Sequence, residues 1–426
     1  MANYVFEEMQ DSDAVAFTGT DHLFFNSATV ATLGVTDHPS TTGPLGTTNE
    51  TVTLTSGTIS HTFVASALAT ASANNNLVFI HGGAGDAIVF GNDDTTAAYT
   101  SGVLAGVTAG GHVAIYGLDG NSTLAGTIGN DTINGGAGDD VITGHSSGTD
   151  TSGNFIENDF LQGGAGNDSI TGDVGNDHIY GNLFSSTAGA ADGNDTINAG
   201  AGNDYVNGNL GDDIIHGGTG NDRLYGGAGN DSITGDDGND YLQGNKGADT
   251  LDGGNGADVI HGGADNDSLL GGNGNDSLYG DNGNDVIAGG NGYDQLWGGA
   301  GNDTFNFGTG EADNAHIHDA ATATGHGMVE TINDFQDGKD LIHLTFLPAA
   351  DANIHHTAAG ATFTDAAAAQ DYAQTLLTGH GSDVAAITVG NDTYLFYDDT
   401  HTTGTINSAI KIVGVTDAAF THADFV

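Results

Sequence analysis

A parallel β-roll, an all-β solenoid of nine-residue repeats, is the fold class this sequence predicts, and three observations predict it. A nine-residue period runs through the central half of the chain. An acidic residue and a large apolar residue recur at fixed places within that period. Glycine is abundant, at 72 of 426 residues, and proline is rare, at 3, so the chain turns often and tightly.

The period is plain in GGTGNDRLY GGAGNDSIT GDDGNDYLQ, residues 217–243. In the frame that starts at His145, eighteen nonads run to Asn306. Position six is Asp in seventeen of them, Ser186 being the exception. Position eight is a large apolar residue in sixteen, with Ser152 and Ala188 the exceptions. Position four is usually Gly, as in Gly166, Gly202, Gly229 and Gly301, and Asp265 departs from this. Three earlier nonads start at Gly117, Gly126 and Gly135, and a one-residue slip follows at Gly144. The first of these carries Ser122 where Asp belongs.

Each nonad reads as one strand and one turn. Its last three residues place an apolar side chain between polar ones, which suits a short strand with one face inward. Its first six are rich in Gly and Asn, which accept positive φ. Two nonads then complete a coil, residues 18 apart stack, and Asp222 sits over Asp240 and Asp240 over Asp258. Leu224, Leu242, Ile260, Leu278 and Leu296 form a thin inward column, too narrow to hold the fold alone. Stacked carboxylates repel unless a cation lies between them. Carboxylates and Gly-loop carbonyls are an all-oxygen donor set of the kind Ca²⁺ takes, so metal binding and folding are expected to be coupled.

Over residues 117–306 the chain resembles the RTX (repeats-in-toxin) family, whose consensus GGxGxDxUx is a calcium-binding parallel β-roll. The resemblance implies multiple Ca²⁺ ions in rows along both turn edges. Each would be held by the Asp of one nonad, the Asp two nonads on, and carbonyls of both loops. The metal residues are then Asp131, Asp140, Asp159, Asp168, Asp177, Asp195, Asp204, Asp213, Asp222, Asp231, Asp240, Asp249, Asp258, Asp267, Asp276, Asp285, Asp294 and Asp303. The nonads at His145–Gly153 and Gly181–Gly189 depart from the pattern, and bulges with weak or absent calcium are expected there. The roll is expected to be most regular from Ala190 onward.

Flanking regions differ in character. Residues 1–116 read as an N-terminal β-rich domain for assembly, anchoring or ligand binding. Thr51–Thr55 and the runs LVFI (77–80), AIVF (87–90) and HVAIY (112–116) read as strands, and 60–73 as a short helix. Residues 307–426 read as a C-terminal cap and secretion signal. In Val329–Leu347, Ile332, Phe335, Leu341 and Leu344 mark an inward face, and the segment resembles the strand pair that caps the roll in type I-secreted proteins. Residues 365–377 read as a helix, followed by strands at AAITV, TYLFYD and AIKIVGV. The opening MANYVFEEMQDSD lacks the basic start and apolar run of an N-terminal leader. The terminal HADFV is similar to the uncleaved signal read by type I export machinery. Secretion to the exterior or surface of a Gram-negative bacterium is therefore expected.

Composition narrows the function. Four Lys and Arg stand against 56 Asp and Glu, a formal net charge of -52. Such a field excludes nucleic acid and anionic membrane surfaces as direct partners. Cys is absent, so neither disulfides nor thiol ligands contribute. HExxH is absent, and the one GxSxG match, Gly144–Gly148 around Ser146, falls in the repeats, not in an α/β sheet. The His316/His318 and His355/His356 pairs suit surface loops better than a metal site. The chain is thus expected not to be an enzyme. The leading expectation is a self-assembling structural protein, a homo-oligomer or array such as the surface (S-) layer proteins that carry RTX repeats. The alternative is a calcium-dependent adhesin or biofilm matrix protein that binds cell-surface polysaccharide. It would need an exposed aromatic patch, for which Tyr99, Tyr116, Phe155 and Phe184 are candidates. An enzyme with an unrecognised site in the first 116 residues is the third reading.

Overall fold

A computed structural model describes residues 113–117, 121–144, 158–182, 193–307, 330–344, 354–356, 361–377, 384–397 and 408–416 apart from isolated gaps, with short strands before residue 91 and a few positions near the C-terminus. The chain divides into two compact units, Met1–Ile214 and Ile215–Val426.

In the first unit, successive nonads alternate between two parallel sheets. One runs Val113–Tyr116, Thr132–Ala137, Phe160–Ala165, His178–Tyr180 and Tyr205–Leu210. The other runs Thr123–Ala125, Val141–Thr143, Ser169–Thr171 and Thr196–Ala201. Ala87–Phe90 joins the first sheet in parallel beside Val113–Tyr116, and Val78–Ile80 pairs antiparallel with Ala87–Phe90. Farther upstream, Leu33–His38, Thr51–Ser56 and Ile59–Val64 make an antiparallel three-stranded sheet. The helix expected over 60–73 does not form at its start. Thr62, Phe63 and Val64, β-branched and aromatic, pair with Thr53, Val52 and Thr51 across a tight hairpin. The rest of that segment lies outside the described residues.

The second unit repeats the two-sheet plan with a step of 18 residues. Arg223–Ala228, Tyr241–Lys246, Val259–Ala264, Ser277–Asn282 and Gln295–Trp297 form one sheet, and Glu330–Ile332 continues it in parallel. Ser232–Asp237, Thr250–Asn255, Ser268–Gly274, Val286–Gly292 and Thr304–Phe307 form the other, continued by Leu341–Leu344. Two apolar columns face each other between the sheets. Leu224, Leu242, Ile260, Leu278 and Leu296 are fully buried, as are Ile287 and Phe305 opposite. In the continuation Ile342, not Leu341, is the inward residue with Leu344. Asp340 takes position six there, so the nonad frame governs which side chain turns in.

Backbone conformation explains the composition of the turns. Position two is in the left-handed region at Asp236 (φ 71°), Asn245 (φ 77°) and Asp281 (φ 69°), where other nonads carry Gly. Asp265, the departure at position four, adopts φ 79° and keeps the turn. Only Gly, Asn and Asp take this conformation at low cost.

At the C-terminal end, Ser408–Ile412 pairs in parallel with Glu330–Ile332 and antiparallel with Asp392–Tyr397, which pairs in turn with Val384–Val389. The helix Ala366–Leu377 starts where Asp365 accepts the Ala368 amide at 2.8 Å, an N-cap. It buries Ala369, Ala373 and Leu377, one stripe at i, i+4, i+8, against Ile387, Phe396 and Ala409. Phe335, Phe420 and Phe425 form a ring chain from Phe305, with centroids 5.5–6.5 Å apart, that covers the last coil. Among the described residues no helix is long and apolar enough to cross a membrane.

The column makes a direct prediction. Ile260→Ala is expected to lower the stability of the calcium-saturated chain by about 2–5 kcal/mol. Val259→Ala, on the outer face of the same strand, should change it by less than about 0.5 kcal/mol. Chemical denaturation followed by circular dichroism checks both.

Candidate metal centre: two ladders of buried aspartate

Each of the eighteen aspartates expected as metal ligands, from Asp131 to Asp303, is at most 3% exposed; Asp150 lies outside the described residues. Local structure explains this: Asp sits at the turn-to-strand junction, two residues before the inward apolar side chain, and points back under its own turn. Within each unit the aspartates form two ladders, one on each turn edge. In the second unit Asp222, Asp240 and Asp258 donate backbone amides to Oδ1 of Asp240, Asp258 and Asp276, each at 2.8 Å. On the other edge Asp231, Asp249 and Asp267 donate to Asp249, Asp267 and Asp285 at 2.8–2.9 Å.

The sequence reading missed a second, opposed ladder. Position-five Asn221, Asn230 and Asn239 accept the amides of Asn239, Ala248 and Ala257 at 2.7–2.8 Å. Each coil thus accepts from its successor through Asn and from its predecessor through Asp. The recurrence of Asn at position five was the available signal.

In the first unit the rungs continue past both irregular nonads. Asp131 donates to Asp159 Oδ1 at 2.7 Å, a step of 28 residues, and Asp168 to Asp195 at 2.8 Å, a step of 27. Gly144 and Gly181 stand beside Asp159 and Asp195 as Gly217 stands beside Asp222. The extra residues therefore fall between position one and position six in the sequence, and the ladder is continuous from one side to the other. Residues 145–157 and 183–192, where bulges were expected, lie outside the described residues, as does Ser146. Gly144 itself is a turn glycine of the roll.

Calcium fits this arrangement on three counts. First, Oδ2 of Asp140, Asp177, Asp240, Asp249, Asp258, Asp267, Asp276, Asp285, Asp294 and Asp303 is buried with no hydrogen-bond donor. A bare buried carboxylate oxygen is costly unless a cation meets it. Second, a methyl group added at Gly235 would lie 2.6 Å from Asp240 Oδ2 and 2.5 Å from the Gly253 carbonyl oxygen. Glycine at position one keeps that oxygen-lined space clear. Third, the donors are all hard oxygens. Among the described residues no three acidic or imidazole side chains converge on one point. Carboxylates from stacked turns therefore need backbone carbonyls to complete a site, which suits the six to eight oxygens of Ca²⁺. Bound there, calcium supplies the positive charge the stack lacks.

Electrostatics agree. Burial, the largest cause, pushes Asp140, Asp240, Asp249, Asp267 and Asp276 up from 3.8 to about 7, and Asp177 to about 8. The amide donated by the preceding coil lowers them in part, and neighbouring carboxylates raise them again. His355 and His356 are adjacent on the strand Ile354–His356 and so face opposite ways. His316 and His318 lie outside the described residues.

Two predictions follow from the ladder. Asp240→Ala should abolish the two sites that Asp240 joins and lower the calcium stoichiometry read by native mass spectrometry; an unchanged count would contradict the ligand assignment. The second concerns pH. The folded-state pKa values lie above 3.8, so the calcium-free roll binds more protons than the unfolded chain. Its stability is greatest below about pH 4 and is lost as pH rises through about 7. In chelator, far-ultraviolet circular dichroism should show β structure at acid pH that disappears by about pH 8, and calcium should remove that loss.

Comparison with known proteins agrees with the geometry. No curated protein sequence matches the chain. Among solved structures it is similar to the AlgE6R3 subunit of the Azotobacter vinelandii mannuronan C5-epimerase, at 26% identity over 41% of this chain and 80% of that one, with a TM-score of 0.28. The RTX calcium-binding nonapeptide repeat profile matches seven segments, from 116–148 and 155–187 through to 279–311. The gaps after 148 and 187 fall in the two irregular stretches. Residues 116–311 thus carry RTX calcium-binding nonapeptide repeats.

Proposed function

We propose that the chain is an exported structural protein that folds when it meets extracellular calcium and then assembles into a cell-surface array: a layer, sheath or fibre. The observation that carries this reading is the ladder of buried carboxylates in a chain of net charge -52. Where calcium is scarce the ladder is uncompensated and the chain stays unfolded and threadable. Where calcium is abundant the same residues nucleate the roll. The C-terminal HADFV segment is the export signal in this reading. Asp424 and Phe425 are 2% and 7% exposed, so the machinery reads them on the unfolded chain. Between copies the like charge repels, so assembly depends on calcium as folding does.

An adhesin that binds polysaccharide through aromatic stacking is less well supported. Tyr99, Phe155 and Phe184 lie outside the described residues, and nothing is described of the Tyr116 side chain. Among the described residues Phe160, Tyr180 and Tyr205 line up in the first unit, with ring centroids 5.6–5.7 Å apart, and a longer column runs Tyr225, Tyr241, His261, Tyr279 and Trp297 along one sheet of the second. His261 and Tyr279 lie 4.5 Å apart and 6° from parallel, and Tyr279 and Trp297 4.3 Å apart and 11° from parallel. His261, Tyr279 and Trp297 thus turn ring faces toward one another, which leaves less of each face for a sugar.

Titration from chelator to about 10 mM calcium, a range that spans extracellular-type sites, tests the reading by circular dichroism, light scattering and negative-stain imaging. Folding should come first, then growth of ordered sheets or filaments. A chain already folded at submicromolar calcium would sink the export logic, and a discrete monomer at saturation would sink the array.

A further inference from the structure

The aspartate ladder does not stop where the regular repeats stop. Asp276 donates to Asp294 Oδ1 at 2.8 Å, the regular rung. Asp294 then donates its amide to the Glu330 carboxylate, at 3.4 Å to Oε1 and 3.3 Å to Oε2. The step is 36 residues, and the acid at its far end is a glutamate. Glu330 is 4% exposed and Asp294 fully buried. Asp294 Oδ2 has no hydrogen-bond donor. Two carboxyl groups are thus enclosed together; burial, first, and then the charge of Asp294 push Glu330 well above the usual carboxylate range.

Other acids in the segment are already committed. Asp334 accepts the Gly298 and Gly299 amides, one on each oxygen, both at 2.8 Å. Asp340 accepts the Asp303 amide at 3.2 Å on one oxygen and the Gln336 amide at 2.7 Å on the other. Glu330 has no comparable pair of backbone donors: it accepts the bifurcated Asp294 amide and lies within hydrogen-bond reach of the Asp294 carboxyl group. Its strand pairs on one side with Gln295–Trp297 of the roll and on the other with Ser408–Ile412 of the C-terminal sheet.

We infer that Asp294 and Glu330 form a further calcium site, the last on its edge, that fastens the C-terminal sheet to the roll. The inference rests on calcium occupying the regular ladder, and its Glu330 half lies beyond the matched repeats, which end at residue 311. The extra methylene of Glu gives its carboxylate the reach for the longer rung, 3.3–3.4 Å against 2.8 Å. A cation there would satisfy the bare Asp294 oxygen and cancel the repulsion within the pair. Calcium occupancy and docking of the strand Ser408–Ile412 then rise and fall together.

The test uses the full chain at saturating calcium, with ions counted by native mass spectrometry and strand protection read by hydrogen exchange. Glu330→Gln should lose one calcium ion and release protection in Glu330–Ile332 and Ser408–Ile412, while the strands from Arg223 to Asn282 keep theirs. Glu330→Asp, which retains the charge on a shorter arm, should keep the fold and bind that one ion more weakly. An unchanged ion count in Glu330→Gln overturns the site, whether or not protection changes, because loss of protection alone means a structural role. If Glu330→Gln fails to fold, a Glu330→Asp variant with the full count and undiminished affinity overturns it instead. Wild-type protein that binds no calcium would overturn the ladder itself, a different failure.

Discussion

One constraint governs this molecule: from Asp131 to Asp303 a carboxylate is buried at each described turn and stacked on those of neighbouring coils. Backbone amides of the preceding coil satisfy Oδ1, as at Asp240, Asp258 and Asp285. The second oxygen faces glycine and carbonyl oxygens, and in ten of the aspartates it has no donor. Burial alone would drive such groups to take up protons, and their raised pKa values express that pressure. A divalent cation relieves the same pressure without surrendering the charge. The choice between proton and metal is therefore built into the turn, and the strands follow from it, because two short apolar columns supply too little burial to order the coil unaided.

The division of labour within the nonad follows from this constraint. Position eight faces the core, position six faces the metal, and positions one, two and four must leave room or take positive φ. Position five carries a return hydrogen bond. Only positions three, seven and nine are free of these demands, and they hold the varied residues: Thr219, Arg223 and Tyr225 in one nonad, Asp237, Tyr241 and Gln243 in another. Surface identity is thus written in a third of the repeat. The stacked column from Tyr225 to Trp297 uses that freedom to add ring contacts along one sheet.

Much of this was legible in the sequence because every demand recurs with the same period. The inward column from Leu224 to Leu296 and all eighteen of those buried aspartates could be placed by counting. Counting failed where the period failed. A frame that continued through residues 145–153 could not reveal that Asp131 and Asp159 are neighbours, because register is set by hydrogen bonding and not by sequence distance. Glu330 was hidden for the same reason, aggravated by the change from Asp to Glu. Asp340 and Ile342 could have been found, since residues 335–343 keep Gly, Asp and an apolar residue at positions four, six and eight. Leu341 drew attention instead, because alternation is read more easily than a nonad standing alone. The strand at Ile59–Val64 was masked by an alanine-rich sequence that follows it.

The turns around Gly144 and Gly181 carry a consequence for how such a chain can change. Between Gly144 and Asp159 the sequence holds ten residues more than a regular turn, and between Gly181 and Asp195 nine more, yet the rungs close at 2.7–2.8 Å. The coil is therefore indifferent to what is spliced into that point, provided the chain returns to the same rung. A turn of this kind is a port: whole segments can be added or removed there without disturbing the column. Lengthening by two nonads elsewhere adds a coil and two more rungs. Growth along the axis and decoration to the side are thus independent, and each can be altered without renegotiating the other.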